Sequence, residues 1–114
     1  MSEKRKLARR HLIYYLRVFD RESNELIGHL INISPQGIMI MSEEPLEINK
    51  HFKLRMDLPV DIFDKTEIEF DAESRWCKKD INPEFYDTGF AIIDLSYTDG
   101  RLIEKLIDDY GFRS

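Results

Sequence analysis

Two stretches of strict alternation constrain this chain more than any other feature. Phe52, Leu54, Met56 and Leu58 alternate with Lys53, Arg55 and Asp57, and Ile68, Phe70 and Ala72 alternate with Glu67, Glu69, Asp71 and Glu73. A period of two sends successive side chains to opposite faces of a strand, so each stretch has one apolar and one charged face. Strands of this kind belong to antiparallel sheets that cover one face and leave the other wet. Residues 12–19 and 25–33 are rich in aliphatic and aromatic side chains and read as two more strands, separated by the polar turn Asp20, Arg21, Glu22, Ser23 and Asn24. Residues 37–41 and 89–93 are short apolar runs that complete a set of about six, with Asn82-Pro83 marking the loop before the last. The strand over 67–73 is expected to continue toward Trp76.

The end of the chain changes period. Ser96-Tyr97-Thr98-Asp99 resembles a capping box with Asp in place of Glu, and Leu102, Ile103, Leu106, Ile107 and Tyr110 then recur at helical spacing. Gly111 is placed to close that helix, and Gly100 weakens its first turn by about 1 kcal/mol relative to alanine. Six short strands followed by one amphipathic helix predict a mainly β barrel or sandwich, with the helix over an open end or side.

Length and charge narrow the partners. A chain of 114 residues with 42% hydrophobic residues suits one domain with one modest core. Its formal charge of −5 is unevenly spread: Lys4, Arg5, Lys6, Arg9 and Arg10 stand against Glu3 in the first ten residues, a net +4, while the remainder carries 12 basic and 21 acidic residues, a net −9. An acidic body argues against wrapping DNA or other long nucleic acid, whereas a short basic arm suits a small anion or simply solubilises the chain. The basic-then-apolar start is a little like a secretion signal, but Arg17 interrupts it and no small-residue cleavage site follows, so an arm leading into a strand is expected. No stretch approaches the roughly 20 apolar residues of a membrane span. One cysteine, Cys77, excludes an intrachain disulfide and fits a reducing, cytoplasmic compartment.

Catalysis is poorly supported. His11, His29 and His51 are scattered and have no zinc-ligand spacing with Cys77. No serine sits in a nucleophile-elbow pattern, no glycine-rich loop precedes a helix, and most carboxylates alternate with core residues as a solvated face. The chain is expected to be a non-enzyme without a metal or bound cofactor.

Two short motifs stand out. Arg5-Lys6-Leu7-Ala8-Arg9 is an RxxxR, and Asn32-Ile33-Ser34-Pro35-Gln36-Gly37 is a (D/N)xSxxG. With nine arginines in the chain, one RxxxR is expected by chance, and a second runs from Arg17 to Arg21. The second motif is rarer. In this order, with the first just before strand one and the second at the turn after strand two, the pair resembles the PilZ domain family, bacterial receptors for cyclic di-GMP. The resemblance implies a six-stranded antiparallel PilZ-type β-barrel with a C-terminal α-helix, in which residues 1–11 form the basic arm and residues 12–114 the barrel domain. It implies cyclic di-GMP as the ligand, a downstream effector protein as partner, and Arg5, Arg9, Arg10, Asn32, Ser34 and Gly37 as binding residues. Lys4 and Trp76 are secondary candidates. Lys4, next to Arg5, adds charge where the family often accommodates a second, intercalated ligand.

The residue types suit that ligand. Arginine offers a planar fork of donors for phosphate oxygens and for guanine O6 and N7, and its flat face stacks on purines. Asn32 offers a donor and an acceptor to a base edge, Ser34 adds a hydroxyl, and Gly37 permits a positive φ or close approach of backbone. Each residue also has a purely structural reading. Asn32 and Ser34 can cap the turn, Gly37 can serve the turn alone, and Trp76 can pack at the barrel rim. Two other functions compete: a PilZ-like adaptor with a degenerate ligand site, and a small RNA-binding barrel. The acidic body and the lack of a run of exposed aromatics weigh against the second.

Overall fold

The computed structural model describes residues 16–34, 36–58 and 65–110, apart from the side chains of 109 and 110. The described strands are β1 (Arg17–Asp20), β2 (Leu26–Ile33), β3 (Gly37–Ser42), β4 (His51–Asp57), β5 (Glu67–Lys79) and β6 (Tyr86–Asp94), followed by helix α1 (Tyr97–Tyr110). Every pairing is antiparallel, and the order β1-β2-β3-β6-β5-β4 closes on itself. Closure decides between barrel and sandwich, and the far end of β5, from Trp76 to Lys79, extends past β4 and pairs with β6 alone. The first strand is described from Arg17 on, so the predicted start at 12, like the cap at Gly111, lies outside the described residues.

The two alternating stretches behave as their pattern requires. Leu54, Met56, Ile68 and Ala72 are almost wholly enclosed with Val18, Leu30 and Ile40, while Lys53 and Glu69 face solvent. On the outer face the charges pair across strands, with Arg21 2.6 Å from Asp71 and Arg17 2.9 Å from Asp57. Exposed pairs of this kind add little individually. Ile103, Leu106 and Ile107 of α1 join the same core, so the helix packs its apolar face against the barrel's interior residues. Ser96 caps it: its Oγ accepts a hydrogen bond from Asp99 N at 3.1 Å. Asp99 supplies its carboxylate to Lys65 at 2.6 Å, which ties the helix start to the approach to β5 in place of a reciprocal capping bond.

Four bulges break the ladders, and two of them decide what faces outward. In β2, Leu30 pairs with Ile40 and Asn32 with Met39, which leaves Ile31 as the extra residue. In β5, Ser74 pairs with Phe90 and Trp76 with Gly89, which leaves Arg75 extra. An inserted residue flips the side-chain phase. Asn32 would otherwise share the inward face of Leu30, and Trp76 that of Ser74. With the bulges, Ile33 turns in and Asn32 out, and Trp76 ends 40% exposed. The inward Ser74 is satisfied by the β3–β4 loop: its Oγ donates to the Glu47 carbonyl at 2.6 Å and accepts from Lys50 N at 3.1 Å.

Candidate ligand groove

The (D/N)xSxxG segment forms the tight connection between β2 and β3. Ser34 N donates to the Gly37 carbonyl at 2.8 Å and Gly37 N to the Ser34 carbonyl at 3.3 Å, a mutual pair that closes a two-residue loop. The Ser34 hydroxyl reinforces it, accepting from Gly37 N at 3.3 Å. Asn32 Oδ1 accepts from Ile33 N at 2.8 Å. The turn-capping readings of Asn32 and Ser34 are therefore real: both side chains stay at the surface, and the Ser34 hydroxyl also donates within the turn, 3.4 Å from the Gly37 carbonyl and 3.5 Å from Gln36 Oε1. Gly37 departs from expectation. Its φ lies outside the left-handed range, and the need for glycine is steric: a Cβ there would fall 2.3 Å from the Phe90 carbonyl oxygen. The turn thus lies against β6, a contact completed by Ile92 N donating to the Gln36 carbonyl at 3.0 Å.

An open groove of about 340 Å³ runs along the barrel's outer face beside this turn. The paired strands β3 and β6 line it with Gly37, Gly89 and Ala91, which have little or no side chain, and with Met39. Asn32, Ser34 and Gln36 stand at one wall and Arg75 and Trp76 at the other. A small-residue stretch between a polar turn and an exposed indole suits a planar heterocycle with polar edges. Of the sequence-predicted residues, the structure brings Asn32, Ser34, Gly37 and Trp76 together here. Lys4, Arg5, Arg9 and Arg10 lie outside the described residues. The first described residue is held beside the turn's strand: the Leu16 carbonyl accepts from Leu30 N at 3.0 Å, two residues before Asn32. Arg9, seven residues upstream of Leu16, can reach about 23 Å from that point along an extended chain.

Arg75 is the groove residue that sequence reasoning missed. Its only signal was adjacency to Trp76, because the bulge that brings it to the wall leaves no mark in a period-two pattern. A larger cavity, about 700 Å³, opens at the far end of the β2–β3 ladder, but Asp20, Glu25, Glu43 and Glu44 line it. Four carboxylates make it the wrong sign for a bis-phosphate ligand, so its size does not decide the matter. No cluster of three or more metal-ligating side chains occurs among the described residues, and no helix among them is long and apolar enough to cross a membrane.

A closed six-stranded antiparallel barrel, packed by a C-terminal helix and grooved beside a (D/N)xSxxG turn, defines a small β-barrel module. The model of the PilZ domain matches residues 3–109, and the chain belongs to that family. Among solved structures, the Bacillus subtilis inhibitor of motility, MotI/DgrA, superposes with a TM-score of 0.63 at 21% identity, covering 82% of this chain and 45% of that one. This chain therefore spans less than half of MotI. The PilZ domain of YcgR from Escherichia coli, solved with cyclic di-GMP, superposes with a TM-score of 0.63 at 16% identity, covering 85% of this chain and 81% of that one. At these identities the likeness is one of fold. No curated protein matches the sequence.

Proposed function

We propose that this protein is a cyclic di-GMP receptor that acts as a non-enzymatic adaptor in the cytoplasm. The observation that carries the reading is the groove itself: the motif turn, the small residues Gly37, Gly89 and Ala91 and an exposed indole lie together on one face. In this reading Arg5 and Arg9, aided by Arg10 and Lys4, close over the phosphates, and Asn32 and Ser34 address a guanine edge. Trp76 offers an aromatic wall to the base. The ordering of the arm across the barrel on binding would create the surface that a downstream effector recognises. The fold shared with the ligand-bound PilZ domain of YcgR supports the choice of ligand.

Calorimetric titration of the full chain with cyclic di-GMP tests the proposal. Saturable binding that is lost in Arg9→Ala is expected. Absence of binding by the wild-type chain would sink it, and ligand-independent capture of the same effector by wild type and Arg9→Ala would favour an adaptor with a degenerate site.

A further inference from the structure

We propose that Arg75 reads the Hoogsteen edge of the guanine beside Trp76 and so makes the groove selective for guanine over adenine, an inference that rests on the cyclic di-GMP reading above. Three observations converge on this residue. As the extra residue of the β5 bulge, Arg75 sits between Ser74, paired with Phe90, and Trp76, paired with Gly89, and has no cross-strand partner of its own in that ladder. Bulges of this kind re-aim side chains next to binding sites. Among the described residues that line the groove, Arg75 carries the only formal charge, and the other polar side chains are the neutral Asn32, Ser34 and Gln36.

The third observation is what holds Arg75. Its Nη2 lies 3.1 Å from Glu73 Oε1, and both side chains are solvent-exposed, at 56% and 36%. Exposed ion pairs of this type contribute about 0–1 kcal/mol, so an acceptor in the groove can displace Glu73 at little cost. The guanidinium is then held only loosely, in a groove lined also by the indole against which a base would lie. Guanine presents two acceptors, O6 and N7, that match this fork. Adenine presents N7 and an amino donor, which opposes it. A phosphate would accept the same fork, but phosphates are common to both cyclic dinucleotides, so only a contact with the base edge makes the preference between them depend on Arg75.

The test is titration of the full chain with cyclic di-GMP and with cyclic di-AMP, for wild type, Arg75→Lys, Arg75→Ala and Arg75→Gln, each checked for wild-type melting. Wild type is expected to favour cyclic di-GMP. Arg75→Lys and Arg75→Ala should both lose about tenfold or more in affinity for it, since a bidentate pair discriminates by roughly 5- to 150-fold. Arg75→Gln, whose carboxamide matches adenine N6 and N7, should narrow the preference by at least tenfold. Wild-type affinity in Arg75→Ala overturns the inference, and so does full retention in Arg75→Lys, which would mean a point charge suffices. A wild-type chain that binds no cyclic di-GMP overturns the underlying functional reading instead, which separates the two failures.

Discussion

Trp76 lies across Gly89, so close that a Cβ on Gly89 would sit 2.3 Å from the indole Nε1 and Cε2. The two residues face each other across the β5–β6 ladder, and both line the groove. Lys78 flanks the ring, with Nζ 5.4 Å from its centroid. Gly89 is therefore the seat of the indole, and its lack of a side chain positions the groove's aromatic wall.

Gly89→Ala should displace Trp76 and weaken cyclic di-GMP binding about tenfold or more, while Trp76→Ala should weaken it by a similar amount. If Gly89 acts through Trp76, the double variant should bind no worse than either single one. Titration of the three variants, with tryptophan fluorescence as a report on the ring's environment, checks this. Additive losses would mean that the two residues act independently.

Gly37 and Ser34 should differ sharply. Ser34→Ala removes a hydroxyl that already bonds within the turn, so binding should fall only a fewfold, with a loss of about 0.5–1.5 kcal/mol of stability. Gly37→Val forces a branched side chain into the Phe90 carbonyl, a backbone atom that can yield only by separating β3 from β6. It should cost about 1–3 kcal/mol as well as most of the binding. Urea denaturation and titration of both variants test the contrast. Wild-type melting of Gly37→Val would show that the turn does not press against β6.

The alternation of the β4 and β5 residues made the barrel strands legible, because 52–58 and 67–73 keep strict phase with the core. Legibility failed where phase broke. Extended without a bulge, the run Ile68, Phe70, Ala72, Ser74 places Trp76 inside, and nothing in the residue types announces that Arg75 is inserted. The same blindness hid the early start of β6. Asp87 and Thr88 are polar, so Tyr86–Thr88 did not read as strand, yet both residues are buried. The site was legible through its motif and not through its shape. The turn could be located from Asn32 to Gly37, but the small-residue lining needs the register that pairs Gly37 with Ala91 and Met39 with Gly89. The reason for glycine at 37 was likewise steric, a fact that only the neighbouring strand reveals.

Asp87 makes stability depend on pH in an unusual direction. Burial, together with the neighbouring Asp80, which hydrogen-bonds to its neutral form and repels its charged form, pushes its carboxyl up to about 6 despite Lys78. Its Oδ1 is buried without a hydrogen-bond partner. Between the ordinary carboxylate value and about 6, the folded chain holds a proton that the unfolded chain has released. The stability this group contributes is thus complete at low pH and lost as pH rises through about 6. Asp87→Asn should stabilise the protein by about 1–3 kcal/mol at pH 7.5 and converge on wild type near pH 4. Asp71 works oppositely. Burial would raise it, but a hydrogen bond with His51 and the charge of Arg21 outweigh that and hold it low, so its contribution is lost on acidification. Comparing variant with wild type at each pH isolates Asp87, and an equal difference at pH 4.5 and 7.5 would refute its raised value.

The arm supplies the final prediction. Among the described residues the groove lining carries one charge, Arg75, against a ligand with two phosphates, so further neutralisation is expected from outside them. The five basic residues between Lys4 and Arg10 are the concentrated source in the sequence, a few residues before Leu16, whose carbonyl accepts from Leu30 N two residues before Asn32. Arg5→Ala and Arg9→Ala should each reduce affinity at least tenfold, in keeping with charge-assisted bonds of about 1.5–3 kcal/mol. Because the arm is expected to act on the ligand and not on the core, the urea midpoints of both variants should match wild type. The salt dependence should follow the same logic: binding by wild type should weaken from 50 to 500 mM salt, and that slope should flatten in Arg5→Ala, which has one fewer charge to screen. Wild-type affinity in both variants would remove the arm from the site and leave Arg75, Asn32 and Trp76 to bind the ligand unaided.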